Sequence, residues 1–330
     1  MRTAWQGLWM TAAATMLAAA PAHADPLPGR DVLKFSQQPM VATPIPDATG
    51  QVVDYFGHDE LSTAYSVGPE PGVITGYQGV YMADDFADTF ADPVVHVRWW
   101  GSYLNDEIIQ PVDKFLISFE SDVPAEVNRP FSHPGQPLLN QVVTKAAALA
   151  PGSGTYTERL VRGPDPVVGE SLYEYNAELH LDKPFPQEPD TVYWLKIVAL
   201  VDVEESTQER TRWGWHNRDY TVPNPLASPN VAPGERVVGA IGDGVPIWHF
   251  QDDAVTGTLA VDVTQNPIMP EVFQEQDWQP TFYLDLADGP DGISQYSKDL
   301  AFELYTIPEP AAAALLVAGG LVMLGRRRQC

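Results

Sequence analysis

Trp213 and Trp215 stand two residues apart in Arg210 to His216, a run whose aromatic content and turn-rich flanks read as a strand. Residues two apart on a strand share a face. The pair could therefore form an indole platform for the apolar face of a sugar ring, with Trp248 as a third contact and acidic side chains bonding hydroxyls. Trp99 and Trp100 are adjacent and must point oppositely, one into the core and the other to a surface or second interface. The plainer expectation is that all of these rings are core.

Carboxylate pairs are the apparatus of glycoside hydrolysis, and Asp84-Asp85, Glu204-Glu205 and Asp252-Asp253 supply the residue types. Adjacent strand residues point to opposite faces, however, so a pair in sequence is not a catalytic pair. A solvated surface or a structural Ca²⁺ site is the better use of such acids. Ca²⁺ takes several oxygens from loops, which Asp84, Asp85 and Asp88, or Asp285, Asp288 and Asp291, could supply; neither set has EF-hand spacing. His58, His96, His133, His180, His216 and His249 are scattered without ligand spacing, and His216 and His249 each adjoin a tryptophan. With Asp252-Asp253 three residues beyond His249, a mixed nitrogen and oxygen metal site is a weaker reading than hydrogen-bonded packing. The chain has no G-x-S-x-G elbow, H-E-x-x-H helix or phosphate-binding loop, and Gly239 to Gly244 has the wrong glycine spacing for a dinucleotide fingerprint. No catalytic or cofactor-binding residue is assigned, and the expectation is a non-enzymatic protein whose one ion would be structural Ca²⁺.

The elements that must position these residues are strands. Phe115, Ile117 and Phe119 alternate with Leu116, Ser118 and Glu120. Pro93 to Leu104, Ser171 to Leu181, Thr191 to Val203, Thr258 to Val263, Thr281 to Leu286 and Leu300 to Tyr305 are likewise β-branched or aromatic. Thr191 to Val203 carries large residues on both faces, which predicts a central strand covered on both sides. Leu138 to Ala150 alone has helical character and could be a short helix or a strand with a loop. Many short strands without intervening helices predict an all-β fold, an antiparallel two-sheet β-sandwich of jelly-roll or immunoglobulin-like kind. Residues 25–80 are rich in Pro and Gly and read as an extended lead-in adding edge strands, and 81–306 as the sandwich.

The chain has 330 residues and a formal charge of −25, a surface that repels phosphates and excludes nucleic acid as a partner. Residues 1–24 pair Arg2 with the apolar run Leu8 to Ala20 and close on Ala22-His23-Ala24, the layout of a cleaved signal peptide. Residues 307–330 run through Pro308-Glu309-Pro310, the apolar stretch Ala311 to Leu324, and Arg326-Arg327-Arg328. As a helix that stretch reaches about 21 Å, short of a hydrocarbon core of about 30 Å. It is a poor permanent anchor, and the arginines would hold its end on the cytoplasmic side. Cys330 is the only cysteine, so disulfides, thiolate metal sites and cysteine nucleophiles are excluded for the processed chain.

The order and position of these tail elements resemble the PEP-CTERM sorting signal. The resemblance implies cleavage near Pro308-Glu309-Pro310 by an exosortase, after signal peptidase has cut at Ala24, and delivery to the outer surface or exopolysaccharide matrix of a Gram-negative bacterium. The membrane is then a partner only through the tail before cleavage. Ala83-Asp84-Asp85-Phe86, Trp99 to Tyr103, Asp122-Val123-Pro124-Ala125, Ser132 to Gly135, Trp213-Gly214-Trp215, Asp252 to Val255 and Leu300 to Leu304 also resemble phrases of an uncharacterised group of exported bacterial proteins with this tag. That resemblance implies a single β-sandwich module and brings no activity with it. The expected function is structural or interactive within the matrix, with a carbohydrate-binding module as the alternative and a secreted glycoside hydrolase behind it.

Overall fold

The computed structural model describes residues 30–46, 51–70, 72–124, 126, 132–167, 169–180, 182–203, 210–219, 221–231, 254–280 and 299–307. The fold is all-β. Its strands are β1 (Val32–Gln37), β2 (Thr43–Pro46), β3 (Val52–Tyr55), β4 (Asp59–Leu61), β5 (Thr63–Val67), β6 (Gly76–Phe86), β7 (His96–Tyr103), β8 (Lys114–Val123), β9 (His133–Lys145), β10 (Thr155–Arg162), β11 (Leu172–Glu178), β12 (Tyr193–Val201), β13 (Trp213–His216), β14 (Val255–Asp262), β15 (Glu271–Pro280) and β16 (Phe302–Thr306). Among the described residues the one helical element is a 3-10 turn over Leu104–Asp106.

A 14-stranded sheet runs in the order β1-β16-β7-β11-β10-β9-β8-β12-β5-β6-β14-β15, with β13 bridging β4 and β7; β2 and β3 form a separate pair. Pairings are antiparallel except β5 with β12 and β9 with β10. The β9–β10 link is confined to the pairs Thr155–Thr144 and Tyr156–Lys145. It joins two strand sets that supply the same core. Val97, Trp99, Tyr175 and Ala177 come from β7 and β11, and Phe115, Ile117, Leu195 and Ile197 from β8 and β12. Phe115 lies 5.2 Å from Trp99 and 4.9 Å from Trp213, ring centre to ring centre.

The expected alternation holds on β12. Leu195, Ile197 and Ala199 enter the principal core, while Trp194, Val198 and Leu200 enter a second one with Tyr77, Tyr81, Val255 and Leu259. Both faces of the strand are covered. Trp99 and Trp100 also part as expected, Trp99 into the principal core and Trp100 into a small cluster with Leu172 and Ala301. Leu138 to Lys145 is strand, the second half of β9, and not helix. Its pairing with β8 from Phe119–Leu139 to Lys114–Thr144 outweighs the local helical character of the run.

Two readings need correction. The boundary drawn at residue 80 falls inside β6, and residues 32–80 do more than decorate an edge: β5 pairs with both β12 and β6. Apolar periodicity does not reveal these strands because most of them are only three to six residues long, too short to mark a period. Thr281 to Leu286 lies outside the described residues.

Candidate functional site

The cleft of about 380 Å³ lies where four stretches distant in sequence converge. They are residues 54–61 spanning the end of β3 and β4, the 3-10 turn after β7, the loop 163–170 after β10, and the start of β13. Gly57 makes the first stretch possible. It sits at φ +85°, and a Cβ there would lie 2.4 Å from His216 Nε2, so only glycine lets the chain pass over this histidine. Gly101 serves the opposite wall, since a Cβ there would lie 2.3 Å from the Gly214 carbonyl oxygen. β7 and β13 thereby approach closely enough to pair.

Arg162 ties the walls together. Its NH1 donates to the carbonyls of Val41 at 2.6 Å and Phe56 at 3.2 Å, and its NH2 donates to the Glu170 carbonyl at 3.3 Å. The guanidinium lies 5.1 Å from the Phe56 ring centre. Burial lowers its pKa from the ordinary arginine value, and Asp165, Asp59 and Glu170 oppose that shift. Asp165 is buried and shapes the loop, accepting from Val167 N at 2.8 Å and Glu170 N at 3.2 Å. Asp59 is held by His216, with Oδ1 3.0 Å from Nδ1, while Nε2 bonds the Met40 carbonyl at 2.7 Å.

Glu170 differs from its neighbours because part of its carboxylate still faces the cleft. The Asn105 amide donates to Oε1 at 2.8 Å, and Ser102 Oγ lies 3.5 Å from Oε2. Burial raises its pKa above the ordinary glutamate value, with the nearby charges of Asp59 and Asp165 adding to the rise. Arg212, Asn105 and Asp54 are exposed at the rim, and Tyr55 is half-buried. Acceptors, donors and an aromatic wall thus meet in one concavity, an arrangement suited to binding a polar organic molecule.

The residues singled out in the sequence lie elsewhere or serve the core. Trp213 and Trp215 share a face, but both are 0% exposed, and their indole N–H groups donate to Tyr175 Oη at 3.1 Å and the Ala301 carbonyl at 2.9 Å. They form no exposed platform; Trp213 only borders the cleft. The reason is that β13 is sandwiched into the principal core, which claims both rings. Asp84, Asp85 and Asp88 do not gather around a Ca²⁺ position. Successive residues of β6 diverge, and Asp84 accepts from Leu300 N at 2.7 Å close to the Arg218–Asp299 ion pair, while Asp88 pairs with Lys34 at 3.7 Å. Burial raises the pKa of both Asp84 and Asp88, the first well above the ordinary aspartate value with the Asp299 charge adding to it.

Among the described residues, one group has metal-ligand proximity: Asp31, His96 and Glu178, whose ligand atoms lie within 4.8 Å of one another. Arg30 lies over both carboxylates, with NH2 2.5 Å from Glu178 Oε1. The cation this cluster needs is supplied by the chain itself. Trp248, His249, Glu204-Glu205, Asp252-Asp253, Asp285, Asp288 and Asp291 lie outside the described residues, as do Ala24, Pro308, Glu309, Pro310, Arg326, Arg327 and Arg328. Among the described residues no helix is long and apolar enough to cross a membrane.

The cleft residues escaped the sequence reading because no spacing connects them. The dense polar and aromatic run Tyr55-Phe56-Gly57-His58-Asp59 was the one available signal. A family model described as a domain of unknown function, DUF7901, matches residues 33–239. No curated protein and no solved structure matches the chain.

Proposed function

The chain belongs to the DUF7901 family, and on that premise we propose that it is an exported, non-enzymatic interaction protein of the bacterial surface or extracellular matrix, sorted by its PEP-CTERM tail. The body is read as a two-sheet β-sandwich. Support for that finer architecture comes from the shared core of the two strand sets and from the two-residue link between them.

The observation that carries the sorting proposal is where the first and last described strands lie relative to the processing sites. β16 is buried, pairs with β1 on one side and β7 on the other, and ends at Thr306. β1 begins at Val32, beyond the signal peptidase site after Ala24. Cleavage at both proposed positions would leave all of the described strands intact, so a mature protein would keep them while losing both apolar ends. The acidic surface suits a soluble partner rather than the anionic headgroups of a membrane.

Mass spectrometry of protein released from the cell surface tests this reading. The expected species begins at Asp25 and ends near Pro308-Glu309-Pro310. A surface form that retains Arg326-Arg327-Arg328 would overturn sorting by cleavage.

A further inference from the structure

We propose that the cleft framed by Gly57, Arg162 and Glu170 binds a neutral saccharide, its hydroxyls donating to Glu170 and Asp59 and accepting from Arg212, with Tyr55 as the stacking wall. The inference concerns the cleft alone and does not depend on how the tail is processed.

Three observations lead to it. The first is shape. About 380 Å³ is room for one or two sugar rings, and ligand sites usually begin near 300 Å³. The second is that the cleft is rigidly built. Arg162 spends its guanidinium on backbone carbonyls of three separate segments, and Asp165 spends its carboxylate on the loop that carries Glu170. Such internal fastening holds Glu170 at the opening with its two light contacts to Asn105 N and Ser102 Oγ, so that a ligand meets a preformed site.

The third observation is the mixture of polar groups, which selects the class of ligand. Glu170 and Asp59 offer acceptor oxygens, whereas Arg212 and Asn105 offer donors at the rim. A hydroxyl is both donor and acceptor and matches this mixture. An ammonium only donates and would leave the guanidinium unmatched and repelled. A carboxylate or phosphate only accepts, and it would face Asp54, Asp59, Asp165 and Glu170 in a chain of charge −25. Burial and the charges of Asp59 and Asp165 raise the proton affinity of Glu170 although Asn105 N and Ser102 Oγ already donate to it, and arriving hydroxyls would add further donors to that carboxylate. Tyr55 adds the aromatic surface on which the apolar face of a pyranose packs.

Calorimetric titration of the mature chain tests the proposal with neutral disaccharides (cellobiose, maltose, lactose), a glucuronate-containing disaccharide and a glucosamine disaccharide. At least one neutral probe should bind with a Kd below about 5 mM, a weak affinity typical of small polar ligands. Glu170→Gln, which keeps the side-chain volume and the acceptor for Asn105 N, should weaken it about ten-fold, as should Tyr55→Ala. Arg212→Ala, at an exposed position, should weaken it as well and serves should Tyr55→Ala fail to fold. Binding only of the charged probes, or no binding of any, would overturn the assignment of a neutral saccharide. Neutral binding unchanged in all folded variants would overturn the location.

Discussion

The two faces of β8 and β12 solve burial in different ways. Toward the principal core they present Phe115, Ile117, Phe119, Leu195 and Ile197, and Phe115 alone meets the rings of Trp99, Tyr156, Tyr175 and Trp213. Toward the second core the same strands present Ser118, Glu120 and Lys196 beside Leu116, Trp194 and Val198. There Lys196 Nζ lies 2.5 Å from Glu120 Oε1 and 4.0 Å from the Tyr81 ring centre, with lysine and glutamate both fully buried. Burial lowers the Lys196 pKa, opposed by Glu120. The first face gains from area removed from water and tolerates no cavity. The second depends on pairing, because each buried charge is acceptable only while its partner stays.

Truncation at the centre of each face separates these mechanisms. Phe115→Ala should cost about 4 kcal/mol, the transfer term plus an aromatic-lined cavity, measured as a fall in the denaturant midpoint at constant slope. Lys196→Met should cost about 3 kcal/mol because it strands the Glu120 carboxylate in the core. The double variant Lys196→Met with Glu120→Leu should recover most of that loss, since an apolar pair of similar volume needs no counter-charge. Recovery smaller than about 1 kcal/mol would mean that the charged face is held by the surrounding hydrogen bonds, such as Ser118 Oγ to Glu120 at 3.0 Å, rather than by the pair itself.

A smaller but sharper effect is expected where the cleft meets the core. Gly57→Ala should cost about 2 kcal/mol, from a left-handed backbone conformation and a clash with His216. Binding should be lost along with it, because the turn places Tyr55 and Asp59. A substitution that destabilises without affecting the cleft would show that residues 54–61 do not set its geometry.

These contrasts also explain what could be read from the residues alone. Strand periodicity made β7, β8, β12 and β16 visible, because each has enough consecutive apolar or aromatic positions to mark both faces. β10, whose sequence Thr155–Arg162 carries Glu158, Arg159 and Arg162, was not legible as a strand. Its charge falls on both faces, Arg159 pairing with Glu174 and the adjacent Glu158 pairing with Lys145 on the other, so neither face shows an apolar alternation. Trp213 and Trp215 were rightly placed on one face, but a period of two says which residues share a side and not whether that side is wet. The cleft was illegible for a different reason. Asp59, Arg162, Glu170 and Arg212 are joined by topology, and local pattern carries no record of which loops a sheet brings to one end.

The smallest effect concerns Glu170 itself and divides stability from binding. Its folded pKa lies above its ordinary value of 4.5, mainly through burial. A group shifted upward contributes stability that is fully present below the unfolded value and is lost as pH rises through the folded value. At neutral pH the ionised carboxylate is therefore a slight burden. Glu170→Gln should be as stable as the parent, or more stable by less than about 0.5 kcal/mol after allowance for its partial exposure to solvent. The gain should vanish as the pH falls to about 4.5, where the parent is increasingly protonated. Thermal midpoints of the two proteins measured across pH 4 to 8 would check the sign. A variant that melts lower at neutral pH would place Glu170 among the structural acids beside Asp165. A variant that melts equal or higher, yet no longer binds a neutral sugar, would mark a residue kept at a cost in stability for the sake of a ligand.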